Sequence, residues 1–457
     1  MPPLNLLGGS DAHVAIWDQG TTSGITYREL ADLVDRRRGE LGPVEGSLVF
    51  LGASTDVDTI VTYLALVGAG ATLALLDPAV STERLTTLCE SYSPDLVVGL
   101  PRIDLHQRAA RGHALEDRIL LSTSGSTGSP KFVRLSEMAI EASSRQIVAA
   151  AQLSEQDRAL LSLPLHYSFG LSVLNSHLMA GAGVVIGSQP SMSPAFATEL
   201  VDCHVTNLFA VPFSIEIFRR TALFDGPLGS LRSVTVSGSR LASDLTLSTH
   251  ESLSHQGVDL IIRYGATEAT SAISMLPADA LPQHVGSVGA ALPGITVSVS
   301  HADESGVGDL QVAGPNVMLG YATSRDDLGS GSATGGVIDI GDQGRIDSDG
   351  RLWISGRASR FAKIRGLRIS LDELESELAG TIPCAAVEGA DQVVLFVEAS
   401  DSPPPRARDL ERQLGLRPGT LAIELVTTLP RTPSGKVDRK LLDPNLGKGD
   451  LLQGPAH

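Results

Sequence analysis

Short apolar runs alternate with helical patterns through most of this 457-residue chain. Residues 26–41 (TYRELADLVDRRRGEL) open on a threonine placed to cap a helix and carry apolar positions at helical spacing. SLVFLG (47–52), ATLALL (71–76) and DLVVGL (95–100) are continuous apolar strands with helical segments between them. The same rhythm returns in VVIG (184–187), VTNLFAV (205–211), SVTVSG (233–238) and LIIRYG (260–265). Strands apolar on both sides, alternating with helices, predict parallel-type sheets covered on both faces. Residues 59–76 are uncharged and nearly long enough to cross a bilayer, but Gly68 and Gly70 interrupt them and Asp58 and Asp77 flank them. A buried helix, a glycine turn and a strand ending at Leu76 are expected there, with no membrane span. From Gly286 to Ile354, glycine, aspartate and serine punctuate short strands, which predicts a small β-rich subdomain. Within it, residues 324–336 read as a flexible surface loop. A helix over 370–380, a strand over 392–399, a proline run at 403–405 and a loose tail after Leu442 complete the pattern. The expected architecture is α/β: a large N-terminal body (1–358) and a small α+β C-terminal domain (359–457).

Composition narrows the function classes. Lys plus Arg total 35 and Asp plus Glu 52, a net charge of −17 that disfavours nucleic acid or an anionic membrane as partner. Cys89, Cys203 and Cys384 are widely spaced, with no CxxC or Cys/His cluster, so neither a disulfide framework nor a zinc site is expected. The N-terminal segment lacks the basic start and apolar core of a signal peptide, and a reducing, cytoplasmic setting is expected.

The densest chemistry lies at LLSTSGSTGSPKFVRLS (120–136). Ser124, Ser126 and Thr127 supply hydroxyls, Gly125 and Gly128 let backbone N–H groups converge, and Lys131 adds a positive charge, as a phosphate-binding loop requires. It is not a Walker loop, because Pro130 precedes the lysine and Phe132 follows it.

This loop resembles that of the adenylate-forming superfamily: acyl- and aryl-CoA synthetases, adenylation domains of nonribosomal peptide synthetases, and luciferases. Further segments resemble the family's motifs in order: TYREL (26–30), LALVGAGATLALLDP (64–78), LPLHYSFG (163–170), YGATE (264–268), GSVGAALPG (286–294), DIGDQGRIDSDGRLWISGR (339–357), KIRGLRISLDELE (363–375) and LPRTPSGKVDRKLL (429–442). The resemblance implies an AMP-forming ligase using ATP and Mg2+. An acid attacks the α-phosphate, pyrophosphate leaves, and the acyl group passes to CoA or to a free-standing carrier protein acting in trans.

The resemblance also implies roles. Ser124, Gly125, Ser126, Thr127, Gly128 and Lys131 would bind the β- and γ-phosphates. Thr267 would contact the α-phosphate and Glu268 would hold Mg2+, a hard cation suited to carboxylate and phosphate oxygens. Asp342 would accept both ribose hydroxyls and Arg357 would reach ribose or phosphate. Tyr264 and Gly265 would flank the adenine opposite Gly238 and Ser239. Lys436 would bridge the substrate carboxylate and the α-phosphate. The C-terminal domain would then rotate about a hinge at Ser359, presenting a face near Gly366 for thioester formation.

His166, Tyr167, Phe169, Phe209, Ser237 and Ala266 are the expected acyl-pocket residues, with His166 as a gate. Amino-acid-activating members carry an aspartate where Tyr167 stands, so a small aryl or short acyl acid is the expected substrate, as in secondary metabolism. Ser359 and Phe132 depart from the family's usual residues. Phe132 is expected to alter the loop exit without loss of ATP binding, while Ser359 and the short C-terminal domain leave room for adenylation without thioester formation, or of another oxyanion such as nitrite. A non-catalytic nucleotide-binding protein is the reading from a different class.

Overall fold

The computed structural model describes residues 6–18, 24–101, 117–122, 131–187, 189–357, 360–364, 367–378, 382–389, 392–399, 406–413, 416, 418–432 and 436–444. The phosphate-loop positions Ser124, Gly125, Ser126, Thr127 and Gly128, together with Ser359, Gly366, the 403–405 prolines and the end of the tail, lie outside them.

Thr26 caps the first helix, Tyr27–Leu41, as its position in sequence predicts. Its hydroxyl accepts from the Glu29 N–H at 3.2 Å, and its own N–H donates to the Glu29 carboxylate at 2.8 Å. The uncharged run folds as helix Val57–Gly68 and strand Thr72–Leu76, with the helix interior buried. Among the described residues no helix is long and apolar enough to cross a membrane.

Two large sheets carry the body. A six-stranded sheet runs Gly320–Ala322, Phe132–Ser136, Asp117–Ser122, Thr72–Leu76, Leu48–Gly52, Leu96–Val98. A thirteen-stranded sheet contains the parallel strands Arg158–Leu161, Asn207–Ala210, Ser233–Val236 and Asp259–Tyr264. The β-rich segment does not stand apart from it. Tyr264 pairs with Ser274 in antiparallel register, and the strands from Ser274–Leu276 onward, through Arg351–Arg357 and Val337–Ile346, extend the same sheet. Tyr264 therefore sits at the carboxyl end of a parallel strand, where open α/β sheets place their ligands.

Residues 324–336 are anchored, against the expectation of a flexible loop. Arg134 and Asp117, both fully buried, pair at 2.6 Å. Arg134 also donates to the Ser330 hydroxyl at 2.8 Å and the Gly331 carbonyl at 3.2 Å, and Asp117 accepts from the Gly329 N–H at 2.6 Å. Composition made this segment look loose; a buried ion pair from another sheet strand holds it.

Beyond residue 360, the hairpin Phe361–Ile364 and Leu367–Ser370 leads into helix Leu371–Leu378. A three-stranded sheet follows, Cys384–Glu388, Val393–Glu398 and Leu421–Val426. Ile364, Leu374, Leu395 and Leu421 belong to a separate apolar cluster of this region. At Lys436 the backbone is held by the Thr432 N–H, which donates to the Lys436 carbonyl at 2.7 Å, and by the Asp438 N–H, which donates to the Pro430 carbonyl at 2.7 Å.

Candidate active site

At the end of its strand, the Tyr264 hydroxyl donates to Asp342 at 2.5 Å. Asp342 lies on Val337–Ile346, in register with Arg357 on the neighbouring strand, whose Nε donates to the other carboxylate oxygen at 3.2 Å. Burial raises the Asp342 pKa, opposed by the Tyr264 hydrogen bond and by Arg357. Burial, with the Asp342 charge beside it, also holds the Tyr264 phenol well above its ordinary range. The phenol is therefore a donor throughout neutral pH.

These residues line a cavity of about 540 Å³ that also meets Ser237, Gly238, Ser239, Gly265 and Lys436. Gly238 has φ +99°, a backbone conformation in the left-handed region that favours glycine. Gly265 is fixed by space: a β-carbon there would fall 1.4 Å from the Ser271 carbonyl oxygen. Lys436 is half-buried, and its pKa is lowered by burial and by Arg357 and Arg439, with Asp342 pulling the other way.

The segment 436–444 that carries Lys436 is tied to the rest of its region through Glu375. Glu375 receives Arg439 at 2.6 Å and Arg360 at 2.7 Å, and Arg360 also pairs with Asp372. Burial works to raise the Glu375 pKa, but the two arginines outweigh it and hold the carboxyl below its usual range. Among the described residues, contacts to the body include the Arg357 N–H on Asp372 at 3.0 Å, the Arg360 N–H on the Arg357 carbonyl at 2.8 Å, and Arg431, which lies 3.9 Å from Glu216 and over the Phe213 ring at 4.1 Å.

The other expected residues form two groups away from this lining. Thr267 and Glu268 open a single 3-10 turn. The Thr267 and Ser168 hydroxyls lie 3.2 Å apart. Glu268 accepts from the Tyr321 hydroxyl at 3.0 Å, and the Lys131 ammonium sits 3.3 Å from the Tyr321 ring centroid. Tyr321 was not singled out in the sequence. It is a lone aromatic in a short edge strand, and only its pairing opposite Val133 brings it between the lysine and the carboxylate.

The last group stands around helix Ser168–Met179. Phe169 and Phe209 meet edge-to-face with centroids 6.0 Å apart. Ala266 packs against the main core. His166 lies 5.4 Å from the Tyr167 ring and 4.0 Å from Asp77, and burial lowers its pKa against the pull of Asp77. His177, also missed, is fully buried against Phe209, and burial lowers it to about 4, so it is neutral at physiological pH. Among the described residues no group of three or more His, Cys, Asp or Glu is gathered as a metal site.

Residues 116–322 match the family described as AMP-binding enzyme. Pyochelin synthetase PchE of Pseudomonas aeruginosa (strain UCBPP-PA14) is 28% identical over 403 residues, 81% of this chain and 28% of that protein. The chain thus spans little more than a quarter of that relative's length. The indoleacetate–CoA ligase of Aromatoleum aromaticum is 30% identical over 344 residues, 70% of this chain and 65% of that one. ATP-bound MatB from Rhodopseudomonas palustris shares the fold, with a TM-score of 0.78 at 23% identity, covering 95% of this chain and 96% of that one. The matched segment runs from the strand before the phosphate loop, through YGATE, to the strand bearing Tyr321, and it is an AMP-binding enzyme domain whose relatives include nonribosomal peptide synthetases and CoA ligases.

Proposed function

We propose that this chain is an AMP-forming ligase. It condenses a small carboxylic acid with ATP to an acyl adenylate, releases pyrophosphate, and passes the acyl group to the thiol of CoA or of a separate carrier protein. The observation that carries this reading is the convergence of Tyr264, Asp342, Arg357 and Lys436 on one cavity. Asp342 offers acceptors to a vicinal diol, as ribose requires. Gly238 and Ser239 line the same cavity as Tyr264 and would flank a base bound there. Lys436 supplies a cation where carboxylate and α-phosphate, two anions, must meet.

Thr267 is the hydroxyl donor for the α-phosphate, and Lys131 the cation for the outer phosphates, together with the loop 124–128. Glu268 suits Mg2+ by its chemistry: a lone carboxylate near a phosphate site is how this ion is commonly held, with phosphate oxygens completing its shell. When bound, the ion neutralises phosphate charge. The remaining work is done by this chain's residues. Arg357 and Lys436 balance the phosphate, and the Tyr264 hydroxyl orients Asp342. Thioester formation requires residues 359–457 to rotate about Ser359, which withdraws Lys436 and breaks the Arg431–Glu216 and Arg357–Asp372 contacts.

The test is acid-dependent pyrophosphate release with MgATP across small aryl and acyl acids, comparing wild type with Lys436→Ala. A loss of about 10²–10³-fold in the variant, with ATP binding retained, is expected for removal of a transition-state cation. An unchanged rate in Lys436→Ala would overturn the role of the lysine. ATP binding without release for any acid would overturn the ligase reading.

A further inference from the structure

Arg263 precedes Tyr264 on the strand Asp259–Tyr264, so the two side chains leave opposite faces of the sheet. Tyr264 turns toward Asp342. Arg263 turns toward helix Ser168–Met179, where its guanidinium stands 4.8 Å from the Phe169 ring centroid. It is 3% exposed. Its Nη2 donates to the hydroxyls of Ser172, at 2.8 Å, and Ser271, and its Nε is buried with no hydrogen-bond partner.

Among the described residues no carboxylate lies within ion-pair distance of Arg263. Burial alone lowers its pKa, to about 9, with no acidic group opposing. The contrast with Arg134 is direct, since that guanidinium, equally buried, has the Asp117 carboxylate at 2.6 Å. A buried cation among neutral hydroxyls and an aromatic ring is costly unless a negative charge joins it. Nothing in the adenylation chemistry uses Arg263, yet it abuts Phe169, one of the expected acyl-pocket residues.

Helix Ser168–Met179 gives the spacing. Ser168 meets Thr267, the donor for the α-phosphate, and Ser172 meets Arg263. The two serines are one helical turn apart, about 6 Å along the axis. Resting on the ligase reading, we propose that Arg263 receives a second acidic group of the substrate, making the preferred acid a short dianion. Its distal carboxylate or sulfonate lies about one helical turn from the carboxylate that is adenylated. The Ser172 and Ser271 hydroxyls hold the guanidinium in place, and the distal anion completes its hydrogen bonding at Nε.

The test is pyrophosphate release with matched acids: malonate, succinate and glutarate against propionate, butyrate and pentanoate, with 3-sulfopropionate against succinate to separate sulfonate from carboxylate. A preference of about 100-fold or more in kcat/KM for one dianion over its monoanionic partner is expected from a site built around a buried charge. Arg263→Met should reverse the preference and melt no lower than wild type, because it removes an unpaired buried cation. Arg263→Lys should keep part of the preference. Wild type favouring the monoanions would overturn the inference while leaving the ligase reading intact. Should no acid release pyrophosphate, calorimetric titration of the same diacids decides. Binding lost in Arg263→Met supports the anion site and overturns the ligase reading, and no binding to wild type overturns both.

Discussion

Replacing Asp117 by alanine should loosen the segment 324–336 and, through it, the phosphate end of the site. Asp117 and Arg134 are fully buried, and three donors converge on the carboxylate: Arg134 Nε at 2.6 Å, Arg134 Nη2 at 3.4 Å and the Gly329 N–H at 2.6 Å. Removing the carboxylate leaves a buried guanidinium with the Ser330 hydroxyl and the Gly331 carbonyl alone. Breaking one partner of such a pair costs about 3–5 kcal/mol. At about 1.4 kcal/mol per tenfold, local opening rises by about 10²-fold to a few 10³-fold.

Amide hydrogen exchange reads this directly, in the strands Asp117–Ser122, Phe132–Ser136 and Gly320–Ala322. The last pairs Tyr321 with Val133, one residue from Arg134, so the KM for MgATP should rise alongside. Asp117→Leu combined with Arg134→Met should recover most of the lost protection, because no unpaired charge remains. A cost below about 1 kcal/mol for Asp117→Ala, or a double variant no better than the single, would refute the assignment of the pair as the anchor.

Three further outcomes are expected. Tyr321→Phe removes the hydroxyl on Glu268 but keeps the ring beneath Lys131, so the Mg2+ needed for half-maximal rate should rise about three- to tenfold, less than for a buried charged hydrogen bond because Tyr321 is partly exposed. Asp342→Asn should weaken nucleotide binding about 10- to 100-fold by calorimetry. Since burial raises the Asp342 pKa, wild-type affinity should fall on acidification at a higher pH than an ordinary aspartate would give, and the variant should lose that dependence. The Lys436 pKa is lowered, so its charge is lost as pH rises through a value below the ordinary lysine range. The alkaline limb of kcat/KM should lie there and move to higher pH in Lys436→Arg.

Much of the local structure is legible in the chain, because helix and strand periods are set by backbone geometry within a few residues. Thr26 at the head of an amphipathic run, Gly68 and Gly70 between helix and strand, and the continuous apolar strands each specify their element through neighbours. The motif residues Tyr264, Asp342, Arg357 and Lys436 are also visible in the sequence as types in a pattern. Their meeting at one cavity is a product of the fold, since Tyr264 and Asp342 are 78 residues apart and touch because the antiparallel strands extend the parallel sheet. The anchoring of 324–336 depends on a buried ion pair whose arginine lies nearly 200 residues earlier, a contact that composition cannot report. Tyr321 and Arg263 are ordinary residues in sequence. Sheet register puts the first between a lysine and a glutamate, and strand alternation leaves the second buried without an acid. Charge burial and long-range pairing depend on which strands lie side by side, and that is decided when the sheets assemble.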